Sequence, residues 1–305
     1  MNMNFRRFFV GTLFLLGCCS IESFGQDIKL AGIGYANYPT VALKDDADGY
    51  ETSFQEFGGF FSLPQVLKDG KIILINGFSY GFVKSKMINT IQGKEASKLY
   101  HRIGYSLTTV YRLGDSWLFS GRVAPTLASD LEQSLSRDDV IILGSLIATK
   151  KVNEQTKYGG GLIYTTRLGR PLLLPLVQYS HEVNRHSINV FLPALIRYNY
   201  SFGKSDEFGV GFKIAPNGAN FNASEDNFAN VVVDKLNYVR INIGPEFNYM
   251  ITDMLQLEVS GGLSARRTYK YFDTQGDSYD YNSKNGAFVS VSLSVIPPMG
   301  DKKKK

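Results

Sequence analysis

The stretch from Leu236 to Arg266 restricts the fold more than any other part of the chain. Val239, Ile241, Ile243, Phe247 and Tyr249 alternate with Arg240, Asn242, Glu246 and Asn248. After a break at Thr252-Asp253 the alternation resumes, with Leu255, Leu257, Val259 and Leu263 set against Gln256, Glu258, Ser260, Ser264 and Arg266. A two-residue period puts each set on one face of an extended chain, so this is a β-hairpin with an apolar and a polar side. The apolar side fits the inside of a soluble sandwich or the outside of a membrane barrel. The rest of the chain separates these.

Thirteen runs read as strands: 28–38, 53–63, 72–82, 99–113, 116–127, 140–149, 158–168, 171–179, 187–200, 208–215, the two arms of the hairpin, and 287–296. Many reach ten residues, the length a tilted membrane strand needs and longer than the usual globular strand. Tight connections such as Gly114-Asp115 tend to alternate with long polar ones such as 84–98 and 270–284, as they do when one end of a barrel is trimmed and the other carries loops. Arg240, Glu246, Glu258 and Arg266 on the polar faces fit a wet lumen. These features favour an all-β antiparallel transmembrane barrel over a soluble or lipid-anchored periplasmic sandwich, whose outer face would also alternate.

Single-chain bacterial barrels take even strand numbers. Reading Pro171 to Glu182 as loop, because of Pro171 and Pro175, gives twelve strands; adding a short strand near Phe221 gives fourteen. The twelve-strand reading is the one adopted. Either count puts Thr252-Asp253 at the periplasmic end and 270–284 outside. Leu257→Arg should then cost about 2–4 kcal/mol, and replacing Glu258 little. Tyr111, Trp117, Tyr249 and Tyr269 fit interfacial aromatic girdles.

Met1 to Gly25 has the order of a secretory signal: Arg6-Arg7, an apolar core from Phe8 to Leu16, then small residues. That core is too short to span a bilayer as a helix. Leu15-Leu16-Gly17-Cys18 also resembles a lipoprotein box. Residues 26–298 then form one barrel domain, and 299–305 a basic tail. Both cysteines, Cys18 and Cys19, lie in the leader, so the mature domain has no thiol chemistry. Much of the formal charge of +5 belongs to the leader and to Lys302–Lys305. The barrel domain is near neutral, which argues against nucleic acid as a partner.

Gly169-Arg170-Pro171-Leu172 with Leu174-Pro175, then Phe191-Leu192-Pro193 and the aromatic run to Tyr200, together with the leader ending Phe24-Gly25-Gln26, resemble uncharacterised outer-membrane β-barrel proteins of Bacteroidota. The resemblance implies residence in the bacterial outer membrane, contact with its lipid and with the barrel-assembly machinery, and no catalytic residues or cofactor. Such barrels commonly finish on a terminal aromatic, whereas this chain ends Pro297-Pro298-Met299-Gly300-Asp301 and four lysines.

Four other chemistries have candidate residues. A lipid hydrolase needs a serine and a base in hydrogen-bond reach, and Ser180, His181, His186 and Ser187 are the candidates. Adjacent Ser180 and His181 point to opposite faces of a strand, as do His186 and Ser187, which works against them. A metal set of His181, Glu182 and His186 has the wrong spacing for one face. Asp45, Asp46 and Asp48, and later Asp273, Asp277 and Asp280, lack the closing Glu of a calcium loop and read as solvated. Gly159-Gly160-Gly161 precedes strand rather than helix and so is no phosphate cradle. The expectation is a non-enzymatic barrel, a small-solute channel or a structural wall with surface loops.

Overall fold

The computed structural model describes residues 29–44, 49–68, 70–228, 231–273, 275 and 277–297. The leader, Asp45, Asp46 and Asp48, and the basic tail lie outside the described residues. In chain order the strands are β1 (Ala31–Ala42), β2 (Tyr50–Leu67), β3 (Ile72–Asn89), β4 (Lys94–Leu113), β5 (Trp117–Ser129), β6 (Val140–Lys151), β7 (Thr156–Thr165) and β8 (Leu172–Val183). They continue with β9 (His186–Leu192), β10 (Leu195–Phe202), β11 (Phe208–Phe228), β12 (Val231–Thr252), β13 (Leu255–Asp273), β14 (Ser278–Asp280) and β15 (Gly286–Val295).

From β1 to β14 each strand pairs antiparallel with the next, and β15 pairs with both β13 and β1. The ring therefore closes on itself with fourteen strands in the wall, β14 being a short flap on β13. Among the described residues, closure leaves no second sheet to form a sandwich. Both described chain ends lie at the end that carries the β12–β13 turn, where the Ile296 amide donates to the Met254 carbonyl at 2.8 Å. This is called the terminal end below, and the opposite one the far end.

The count of twelve is corrected to fourteen, and neither sequence-based repair found the missing strand. The run Ser187 to Tyr200 is two strands, β9 and β10, joined by a turn at Pro193-Ala194 in which the Ala194 amide donates to the Phe191 carbonyl at 2.7 Å. Pro171 to Glu182 contributes β8, and the polar stretch 216–234 lies mostly in β11 and β12. The prolines are tolerated for one reason. β9 starts pairing with β8 only at Val177, and β10 pairs with β11 only up to Ile214, so Pro175 and Pro216 each have a strand on one side alone. Proline has no ladder N–H to lose on a free edge.

The wall is consequently uneven. β9 has 7 residues and β10 has 8, whereas β11 has 21 and β12 has 22. Above the low β9–β10 hairpin, β11 leans across the mouth until Asn222 pairs with Ser129 of β5. The barrel narrows there. Its far half is closed by β11–β13, β15 and β1–β5, with the β7–β8 connection lying against β11 and β12 where Arg167 meets Gly218 and Gly169 meets Tyr238.

The outer face is apolar: Leu146 is 68 %, Leu173 63 %, Ile142 61 % and Val123 56 % exposed. The buried charges lie inside. This inverts the arrangement of a water-soluble domain and matches a wall facing lipid.

Candidate functional site

The interior is layered. At the terminal end a polar vestibule of about 220 Å³ is lined by residues including Ser180, Asn189, Asn199, Asn248 and Gln256. Its charges form a network across four adjacent strands. Arg197 of β10 reaches Glu246 at 2.9 Å and Glu258 at 3.1 Å, and Lys213 of β11 reaches the same two at 2.8 and 2.6 Å. Lys29, just before β1, adds a third cation at 3.4 Å from Glu258. Period-two alternation puts these side chains on the inner face, and the registers Arg197↔Lys213 and Glu246↔Ser260 bring them to one height. Two carboxylates thus face three cations, and each of their four oxygens accepts at least one hydrogen bond.

Farther in, Glu56 takes donors from Arg240, Tyr238 Oη (2.8 Å) and Asn217 Nδ2 (2.9 Å). The Arg240 guanidinium lies 3.5 Å from the Tyr38 ring centre and 4.7 Å from that of Tyr238, so its charge is held by a carboxylate and by ring faces together. Tyr38 Oη accepts from Asn217 and Asn242.

The far half is filled. Tyr38, Phe54, Tyr100, Phe221, Tyr238 and Tyr269 pack as an aromatic core, with Phe54 and Tyr269 stacked at 4.5 Å and Tyr100 against Phe221 at 5.2 Å. The Tyr100–Phe221 pair crosses the barrel from β4 to β11, so it is part of what closes the mouth. Nearby the Asp130 amide donates to the Asn222 carbonyl at 3.2 Å, and Asn222 Nδ2 donates to Asp139 Oδ1 at 3.1 Å. Asp139 belongs to the 3-10 turn Arg137–Asp139, capped by Ser136. Its burial favours the neutral acid, but donors at Ser129, Ser136 and Asn222 outweigh this and hold the carboxyl below the usual aspartate range.

Of the four residues expected in the lumen, Arg240, Glu246 and Glu258 are buried within the layers just described, and Arg266 is exposed. Two residues of β13, Arg266 and Arg267, oppose Arg240 alone, with Arg266 at φ +49°. Such a bulge advances the alternation by one residue. Arg267 therefore takes the interior, 1 % exposed, and Tyr269, expected in a girdle, lies in the core instead. Tyr111 and Trp117 are exposed on the outer wall, and Tyr249 stacks on Phe208 at 4.9 Å. Glu258, expected from sequence to be cheap to replace, meets three cations. Glu56 and Lys29 were missed: a lone acid in an aromatic strand and a lysine before the first strand carry no motif.

The hydrolase candidates are not brought together. Ser180 Oγ donates to Asn189 Oδ1 at 2.9 Å on the inner face. His181 meets Thr156 Oγ1 at 3.0 Å and stacks on Tyr179, while His186 meets Tyr198 Oη at 2.8 Å, on the outer face. His101 likewise meets Tyr80 Oη outside, at 3.0 Å. His181, Glu182 and His186 form no metal cluster among the described residues. Asp273 accepts from the amides of Gln275 and Asp277, and Asp280 pairs with Lys270 at 2.8 Å, so this loop uses its carboxylates on itself.

No curated protein sequence matches this chain. Among solved structures it is similar to a deletion mutant of the TodX monoaromatic hydrocarbon channel, at 12 % identity over 90 % of this chain and 91 % of that one, TM-score 0.42. It is also similar to the COG4313 outer membrane channel from Pseudomonas putida F1, at 13 % identity over 90 % and 97 %, TM-score 0.39. A third is the NanC porin, at 7 % identity over 87 % and 100 %, TM-score 0.32. A family profile described as a domain of unknown function, DUF6268, matches residues 77–296, from within β3 through the last strand. That is well over half of the chain, and the protein belongs to the DUF6268 family.

Proposed function

We propose that this protein is a non-enzymatic barrel of the bacterial outer membrane whose interior admits small polar solutes from the periplasmic side, with the aromatic core restricting passage at the extracellular side. The carrying observation is the inverted wall: large apolar side chains exposed outside, and a vestibule of hydrogen-bonded polar and ion-paired side chains inside. The terminal end is the periplasmic one in this reading, since that end bears the short turns. Membrane lipid is the solvent of the outer face, and the barrel-assembly machinery is the partner during biogenesis.

Planar-bilayer recording of refolded protein tests the channel. The parent should give small steps, and the double variant Tyr100→Ala with Phe221→Ala, which opens the cross-barrel aromatic contact, should give larger ones. Silence from both would end the channel reading and leave a structural barrel. Fractionation into the outer membrane, with heat-modifiable migration on a gel, tests the location.

A further inference from the structure

One large aromatic side chain of the interior stays uncovered. Phe60 of β2 alternates with Phe61, which is exposed on the outer wall, and shares its face with Phe54 and Glu56, so its ring points inward. There it is 37 % exposed, whereas Tyr38, Phe54, Tyr100, Phe221, Tyr238 and Tyr269 of the aromatic core are each 3 % exposed or less. The ring lies over Gly32 of β1, where a Cβ would come within 2.9 Å of it.

The cavity that Phe60 borders, of about 430 Å³, reaches across the interior to Asn217 and Tyr238 and also touches Arg102. Arg102 of β4 faces inward, since its neighbour Ile103 is exposed outside. Phe60 lies opposite Ser79, and Ser79 opposite Gly104, two residues along the same face from Arg102. Two strand spacings of about 4.8 Å and two residues of about 3.4 Å therefore set the Cα atoms of Phe60 and Arg102 roughly 12 Å apart. Their side chains leave about the breadth of one ring between them. The floor of that gap is Gly58 and Gly81, which are register partners and carry no side chain, and Ser79 beside them is exposed to the interior. No hydrogen bond or ion pair engages Arg102 among the described residues. Glu56, the acid in the same cavity, is taken up by Arg240, Tyr238 and Asn217.

An open aromatic face, a backbone floor and an unpaired guanidinium at this separation suit one chemistry. A pyranose ring presents slightly positive C–H groups on one face, and these lie against the negative face of an aromatic ring. Its hydroxyls need partners, which Ser292 and Asn217 on the border of the cavity supply. A guanidinium takes a carboxylate through two parallel N–H bonds. A pure hydrocarbon would strip water from Arg102 and give nothing in exchange.

We propose that this cavity binds a monosaccharide carrying a carboxylate, a hexuronate, with the sugar ring on Phe60 and the carboxylate on Arg102. The site rests on the reading of the interior as open to small polar solutes, and its test does not require conduction. Protein refolded in a zwitterionic, sugar-free detergent at low salt is titrated calorimetrically with glucuronate, glucose and benzoate.

The parent should bind glucuronate about tenfold more tightly than glucose, the gain of one charge-assisted contact, and benzoate more weakly than glucuronate. Phe60→Leu keeps the apolar bulk and loses the aromatic face, and should weaken both sugars about fivefold. Arg102→Gln should weaken glucuronate about tenfold and leave glucose unchanged. Gly58→Val should abolish binding of both by filling the floor; a Cβ there meets nothing closer than the Tyr80 carbonyl at 3.7 Å, so the wall accommodates it, and heat-modifiable migration shows that each variant is folded. A parent that binds neither sugar, or an F60L/R102Q variant that binds glucuronate as the parent does, overturns the site. Benzoate bound more tightly than glucuronate assigns the cavity to a planar aromatic acid and overturns the sugar. Silent bilayers with glucuronate binding intact would remove the channel and leave the site, and conductance without binding would do the reverse.

Discussion

Leu146 gives the sharpest test of which face meets lipid. It is 68 % exposed on the outer side of β6. Four residues toward the terminal end, Lys150 lies over the Trp117 ring at 5.7 Å, a pairing suited to the membrane boundary. Four residues at about 3.3 Å each, on a strand tilted about 40°, put Leu146 roughly 10 Å inside that boundary, near the middle of an apolar band about 25 Å tall. Leu146→Arg should therefore cost about 2–4 kcal/mol. On a surface facing water the same change stays within about 0.5 kcal/mol. Ser187→Arg, in the wet vestibule opposite Glu182, is the inward control and should also stay within about 0.5 kcal/mol. Urea titration of folding into phospholipid vesicles measures both. A Leu146→Arg protein as stable as the parent would refute the lipid-facing assignment.

Glu258→Gln leaves Arg197 and Lys213 with Glu246 alone and takes from Lys29 the carboxylate it meets, and should cost about 3 kcal/mol in the same titration, as breaking a buried pair does; an unchanged midpoint would show that vestibule water already screens the network. Asp139 has a folded pKa below its unfolded one, so its stabilisation is complete above the ordinary aspartate value of about 3.9 and is lost as pH falls through the folded value. The difference in urea midpoint between the parent and Asp139→Asn should then be constant near neutrality and shrink on acidification, and a difference that grows on acidification would contradict the sign.

The hairpin around Leu236 to Arg266 could be read from sequence because alternation is a property of neighbours and needs no knowledge of the far side of the barrel. The bulge at Arg266 could not. Arg266-Arg267 carries no turn residue, and only the opposing position of Arg240 shows that one of the pair is extra. The strand count failed at Leu192-Pro193-Ala194-Leu195 for a related reason: a turn is recognised by polar residues and glycine, and this one is apolar. The discarded strand at Leu172 and the foreshortened one at Pro216 follow from the same hairpin, because only its low height frees the edges where Pro175 and Pro216 are harmless. The ion network shows the same limit. Glu246 and Glu258 announce themselves as charges in an apolar ribbon, whereas their cations come from β10, β11 and the residue before the barrel.

The apolar turn between β9 and β10 bears on the membrane itself. Seven residues at about 3.3 Å, tilted about 40°, span roughly 18 Å, several ångströms less than the band of about 25 Å that the rest of the wall presents. A polar turn at that depth would drag water into hydrocarbon, and Leu192-Pro193-Ala194-Leu195 does not. In a membrane, lipid on that flank would thin, or the barrel would lean toward it, at a cost of a fraction of a kcal/mol for each ångström of hydrophobic mismatch. The molecule would then carry a soft side into the bilayer, and its tilt would respond to membrane thickness: thicker lipid should lean the barrel toward β9 and β10, and thinner lipid should let it stand upright.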